Sequence, residues 1–322
     1  MTQIRSMPTP NRRPGELGAH SLDHYTLEVP DLAVAETFYD AFGLDVKAEG
    51  RGLGIYAAGN SHCWGSFLEG PKKKLHHLSF GAFEDDMPRF RARLEELRIE
   101  RLDPPPGYES NGIWFRDNEG VLVEIKVAEK VSPNVKTTFG ESGGPAGIAN
   151  APMRKTLKKV RPRRLSHVLM FRKDVMESVK FYNRVLGLRL SDHSGGRIAF
   201  MHAIHGSDHH LVAMAQSEGP GFHHSSWDVG SINDIGNGAM QMLDKGYSKG
   251  WGLGRHVIGS NYFHYVRDPW GSFSEFSADI DYIPVVQDWQ ATDYAPEDML
   301  SVWGPEMPAE FVHNYEIGTQ PA

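Results

Sequence analysis

One cysteine, Cys63, stands in the whole chain. A lone thiol cannot close an internal disulfide, so a cystine-stapled scaffold is excluded. Cysteine-based zinc fingers and cysteine-held iron–sulfur clusters are excluded with it. No run approaches the roughly 18 apolar residues that a transmembrane helix needs. Positive charge is not in excess either, since 34 Lys and Arg face 41 Asp and Glu, for a formal net charge of -7. A broad nucleic-acid surface needs the opposite balance. The one basic run, Arg154 to Arg164, reads as a solvated linker. Residues 1–18 are rich in Pro, Arg and polar side chains and lack the apolar stretch of a signal peptide. They predict a disordered arm on a cytoplasmic protein.

Histidine is what the chain has in abundance. There are 16, and ten of them fall between His167 and His264. Imidazoles in that number, with carboxylates nearby, point to metal ligation or acid–base chemistry.

The chain also repeats itself. Leu22-Asp-His24 returns as Leu165-Ser-His167, and Phe38-Tyr39 before Gly43-Leu44 returns as Phe181-Tyr182 before Gly187-Leu188. Leu75-His-His77 returns as Phe222-His-His224. Each half divides again into a His-bearing strand, a helix and about three short strands bounded by Gly and Asn. A helix in every unit disfavours a propeller blade, and four units are too few for a long solenoid. The pattern predicts an α+β fold in which four βαβββ modules pair into two similar domains, each a cup of mixed sheet. The divisions expected are an arm over 1–18, a first domain over 19–128, a linker over 129–163, a second domain over 164–285 and a tail over 286–322.

In the second half, His167, His224 and Glu275 lie on three separate strand-like segments. Two imidazoles and one carboxylate match the facial triad of non-haem Fe(II) sites, which leaves positions open for substrate and O2. These residues carry a family resemblance. Leu165-Ser-His167, the double His223-His224 and the series His256, Tyr265, Glu275 resemble the two-domain type I extradiol dioxygenases. That is the catechol 2,3-dioxygenase (metapyrocatechase) group of the vicinal oxygen chelate fold. The resemblance spans about residues 20–285 and includes spacings, nine residues from His256 to Tyr265 and ten from Tyr265 to Glu275.

The resemblance implies that His167, His224 and Glu275 hold Fe(II), with Mn(II) as the minority ion. It implies that His210 is an acid–base residue beside the metal, and that His256 and Tyr265 hydrogen-bond the catecholate. The substrates would be a catechol and O2, the protein a homo-oligomer, with no nucleic-acid or membrane partner. Two plainer readings stay open: His210 as a partner of His224, and Tyr265 as a packed strand aromatic. His223 is expected to face away from His224's side of the strand, and His209 is ambiguous. The sequence departs from the group at Gly259, where an Asp is frequent; Asn261 is the candidate substitute.

The first half keeps His24, His77 and Glu124. Opposite His210, His256 and Tyr265 it has Cys63, Pro105 and Trp114. It is therefore expected to be a non-catalytic duplicate. An aromatic pocket is expected among Phe222, Trp227, Trp251, Tyr262, Phe263 and Trp270, with two or three of them touching substrate. Arg255 and His264 could face a carboxylated substrate. The tail, from Tyr282 through Trp289 and Trp303 to Tyr315, is expected to cover the site. A glyoxalase-like isomerase and a metal-free binding protein on the same fold are the competing functions.

Overall fold

The computed structural model describes residues 11–108, 110–140 and 144–317. The first half runs β1 (Ser21–Val29), α1 (Leu32–Phe42), β2 (Asp45–Glu49), β3 (Gly52–Tyr56), β4 (Cys63–Glu69), β5 (Lys74–Ala82), α2 (Met87–Glu96), β6 (Ile113–Arg116) and β7 (Leu122–Val127). The second runs β8 (Arg164–Arg172), α3 (Val175–Leu186), β9 (Arg189–Ser194), β10 (Ile198–His202), β11 (Ser207–Asp208), β12 (Val212–Gln216), β13 (Gly221–Asp228), α4 (Ile232–Asp244), β14 (Gly250–His256), β15 (Tyr262–Arg267) and β16 (Phe273–Ala278). The tail adds β17 (Tyr282–Ile283), β18 (Thr292–Asp293) and β19 (Ser301–Trp303).

The repeated helix has repeated stops. Asp31 caps α1 by accepting from the amides of Ala33 and Val34, and Asp174 caps α3 by accepting from Glu177. Gly43 and Gly187 end the two helices at φ +106° and +72°, where a side chain would be strained.

Seven strands form one mixed sheet, in the order β2-β3-β4-β1-β5-β7-β6. Ten form a second, β18-β9-β10-β12-β8-β13-β16-β15-β14-β19, and β11 pairs with β17 in a small third. The second module is shorter than expected. Among the described residues of that module, only β6 and β7 follow α2, and the expected further strand shrinks to one bridge between Leu102 and Trp114. Pro104-Pro105-Pro106 follows one residue after Leu102, and proline has no N–H to give a ladder.

One apolar core joins the halves. Phe42 of α1 stacks on Phe276 of β16 with ring centroids 3.9 Å apart, and Tyr25 stacks on Phe222. Arg172 and Asp117 form a buried ion pair across the same interface, at 2.6 Å. The basic run is tied down rather than free: Lys159, Arg161, Arg163 and Arg164 pair with Asp40, Asp45, Asp228 and Asp208. The expected disordered arm is shorter than 1–18. Residues 1–10 lie outside the described residues, but Arg12 pairs with Asp85 and Asp86, and Leu17 is buried. No described helix is long and apolar enough to cross a membrane.

Candidate metal centre

The register of the large sheet assembles the site. On β13, Ser226 pairs with His167 of β8 on one side and with Glu275 of β16 on the other. His224 lies two residues earlier on the same strand, so its side chain shares the face. Tyr265 of β15 lies directly opposite Glu275. His256 ends β14, and His210 sits between β11 and β12.

The ligand atoms offered by His167, His224 and Glu275 all lie within 4.8 Å of one another, and all three residues are buried. His167 Nε2 is 3.4 Å and His224 Nε2 3.8 Å from Glu275 Oε2. His224 Nε2 and Glu275 Oε2 have no hydrogen-bond partner among the described residues. A buried polar atom left unpaired costs about 1–3 kcal/mol. Two orphaned atoms facing one point, with a second imidazole beside them, fit a divalent ion of the kind that accepts imidazole and carboxylate.

The surrounding groups are fixed from behind. Asn261 donates to Glu275 Oε1 at 3.1 Å and to Ser277, so it braces the carboxylate. His256 bonds the Leu300 carbonyl through Nδ1 at 2.7 Å and the Tyr265 hydroxyl through Nε2 at 3.0 Å. Burial and the neighbouring Glu275 carboxylate push the Tyr265 phenol well above its ordinary pKa, so it stays protonated. His210 packs against the His167 ring at 4.0 Å between centroids and bonds His209, not His224. Burial, then the nearby imidazoles of His167 and His209, push its pKa well below 6.5. His209 in turn bonds Asp192 at 2.7 Å, a support its sequence position did not betray. His223 lies on the far side of β13 against Phe171 and Phe273, yet its Nδ1 reaches His224 Nδ1 at 2.6 Å.

Gly259 has φ +84°, a backbone a side chain rarely adopts. A Cβ there would stand 3.3 Å from the His210 ring and 3.4 Å from Asn261 Oδ1. The position where the group frequently has an Asp is thus too tight beside His210 for a side chain to enter without displacing the ring.

The cavity over these groups is lined mainly by Leu169, Phe200, Ala213, Ile258, Met299 and Phe311. The predicted aromatic lining is largely corrected. Of the six aromatics only Trp251 lines the cavity. Phe222 and Trp227 are spent in the core, Phe263 packs beneath Trp251, and Tyr262 stacks on Phe139. Arg255 and His264 are not in the lining; Arg255 lies over the Tyr262 ring and donates to Ser260. The tail does reach the cavity, but through Met299, Leu300 and Phe311 rather than through its Tyr and Trp residues.

In the first half, His24, His77 and Glu124 also gather within 4.8 Å. There both carboxylate oxygens are already engaged, Oε2 by Ser79 at 2.5 Å and Oε1 by Ser110. Trp114 occupies the place of Tyr265 opposite Glu124. Burial and Glu49 push the Cys63 thiol up to about 12, so it is no stand-in for an imidazole base.

Two sheets of duplicated modules, with two imidazoles and a carboxylate converging on the second, define the vicinal oxygen chelate class of metal-dependent proteins. The chain belongs to the Glyoxalase/Bleomycin resistance protein/Dioxygenase superfamily, whose sequence model matches residues 21–125 and 164–276. It is 51% identical over 297 residues to metapyrocatechase 2 of Cupriavidus necator, covering 92% of each chain. Among solved structures, the Mn(II)-bound glyoxalase of Novosphingobium aromaticivorans is 23% identical with a TM-score of 0.73, over 92% of this chain and 95% of that one. A variant of homoprotocatechuate 2,3-dioxygenase from Brevibacterium fuscum is 19% identical with a TM-score of 0.74, over 97% of this chain and 85% of that one.

Proposed function

We propose that the protein is an extradiol dioxygenase of the catechol 2,3-dioxygenase type. It opens a catechol ring beside its two hydroxyls, placing both atoms of O2 in the product, as a step in breaking down aromatic compounds. The metal would be held by His167, His224 and Glu275, and we take it as Fe(II), with Mn(II) the alternative. One observation carries the reading: His224 Nε2 and Glu275 Oε2 are orphaned 3.8 Å apart, beside a mainly apolar cavity that His224 lines together with His210, His256 and Tyr265. When bound, the ion supplies chelation of the two catechol oxygens and the electronic path to O2.

The chain's own residues supply the rest. The apolar walls take the ring and exclude water. His210, kept neutral by burial, is a base able to accept a proton from a catechol hydroxyl and return it to the opened product. Tyr265 and His256, bonded to each other, hold the other hydroxyl. Asn261 keeps Glu275 from turning. Among the described residues no Lys or Arg lines the cavity, which supports catechols with apolar substituents over carboxylated ones. The same reading places the enzyme in the cytoplasm, where its single reduced thiol suits it, and takes it as a homo-oligomer; cell fractionation and solution mass check these.

The test is to add catechol and 3-methylcatechol to Fe(II)-loaded protein in air. A yellow ring-opened product, stoichiometric O2 uptake and two 18O atoms from labelled O2 are expected. Silence across mono- and bicyclic catechols with the metal bound would contradict the reading.

A further inference from the structure

Lys73 and Glu316 form an ion pair that the chemistry above does not use. Lys73 stands just before β5 in the first half and is 1% exposed. Glu316 stands near the end of the described tail, 2.7 Å away. Both also grip one residue of the second half. Lys73 Nζ donates to the Phe222 carbonyl at 2.6 Å, and Glu316 Oε1 accepts from the Phe222 amide at 2.8 Å. Glu316 Oε2 accepts from the Leu75 amide at 3.0 Å. The pair therefore ties together β5, the tail and β13, one residue before His223 and two before His224.

The tail holds His223 from a second direction. His223 Nε2 is 2.6 Å from the Phe311 carbonyl, and a carbonyl only accepts. His223 Nε2 must then carry the proton, and in the neutral ring Nδ1 is left with its lone pair. That lone pair faces His224 Nδ1 at 2.6 Å, so His224 donates there and keeps Nε2 bare. The His224 nitrogen that must be free for an ion is freed by a carbonyl of the tail. Such outer contacts set the tautomer and bearing of metal-binding imidazoles.

The tail's seat is built for it. A Cβ on Gly221 would come 2.5 Å from Asn314 Oδ1, and one on Gly271 2.4 Å from the Tyr315 ring. Asn314 also donates to the Gly219 carbonyl at 2.9 Å. Buried ion pairs are costly to desolvate and are frequently replaceable by apolar pairs without loss of stability. Stability alone is a poor reason for this one, and its hold on the backbone beside His224 is a better one.

We propose that Lys73 and Glu316 are positioning residues for the metal centre. Through the Phe222 backbone and the tail's Phe311 carbonyl they fix His223, and through His223 they fix the tautomer of His224. The first half is then not only a duplicate, because it anchors the segment that prepares a ligand in the second. This rests on His224 being a ligand, as proposed above.

Two full-length variants test it, Glu316→Gln and the double variant Lys73→Met with Glu316→Leu. Fe(II) retained after dialysis against EDTA is measured by metal analysis, with kcat and KM for catechol and the melting temperature alongside. Outer-contact losses of this kind weaken metal binding by about 10- to 100-fold. A loss in that range is expected in both variants, with kcat falling more than KM rises. The double variant fills the same space but leaves the Phe222 and Leu75 amides without their acceptor, so it is expected to fold yet melt below the parent. 15N NMR of the histidine rings in metal-free protein gives a second reading: His223 protonated on Nε2 in the parent and on a mixture of nitrogens in the double variant. Folded variants that keep Fe(II), kcat/KM and the His223 tautomer overturn the proposal. If the variants do not fold, the parent's tautomer decides, and a proton on His223 Nδ1 overturns it. A parent that binds Fe(II) but leaves catechols intact contradicts the assigned activity, while the metal and tautomer readings still judge the clamp.

Discussion

His224 has one ring nitrogen bonded and the other bare, whereas His77, its counterpart, has Nε2 3.4 Å from the Thr26 hydroxyl and a neighbouring Glu124 already engaged by two serines. His224→Ala should abolish both bound Fe(II) and ring cleavage. His24→Ala should leave both within about twofold of the parent, read by metal analysis and O2 uptake. Tyr265→Phe keeps the ring that packs on Trp251 and Phe311 and removes only the hydroxyl. A hydrogen bond to a charged group contributes about 1.5–3 kcal/mol, so kcat/KM should fall about 10- to 100-fold at unchanged metal content. Gly259→Ala must adopt φ +84° and crowd His210. Left-handed strain of this kind costs about 1–3 kcal/mol, and the variant should bind Fe(II) normally but turn over slowly in steady-state assays.

The strands carried most of what the sequence disclosed. A ligand set spread over β8, β13 and β16 is legible because each member opens or closes a repeated unit, and repeats can be aligned by eye. The helix stops were legible for the same reason, as Gly43 and Gly187 recur. The cavity lining was not. A run such as Phe222 to Trp227 alternates between a face toward the cavity and a face toward the other half, and only strand pairing decides which is which. Phe222 lost its expected place to Tyr25, a residue from the opposite half. Leu169 gained one because it lies two residues beyond His167 on the same face. The tail's part was legible as a cover but not as a contact, since backbone carbonyls such as those of Leu300 and Phe311 leave no mark in side-chain chemistry. With apolar residues at these positions, a catechol bearing a carboxylate should show a kcat/KM at least about tenfold below 3-methylcatechol, because an unpaired buried charge is expensive. Parallel kinetics on the two substrates check this.

At the scale of the whole molecule, three histidines outside the site, His20, His202 and His205, are buried and uncharged. His20 and His205 are pushed down to about 4 and His202 to about 3, in each case first by burial. The unfolded chain binds protons near pH 6.5 at these rings and the folded chain does not, so the stability they withhold is lost as pH falls. The melting temperature should be nearly level above pH 6.5 and drop steadily from there towards pH 4, and calorimetry that finds no drop by pH 5 would contradict this. The duplication leaves two similar His/His/Glu clusters in one chain, and the account assigns chemistry to only the second. Anomalous scattering at the iron edge from crystals of the Fe(II)-loaded protein tests that most directly. The account predicts a peak between His167, His224 and Glu275 and none between His24, His77 and Glu124. Iron in the first-half cluster, with the second left empty, would contradict it.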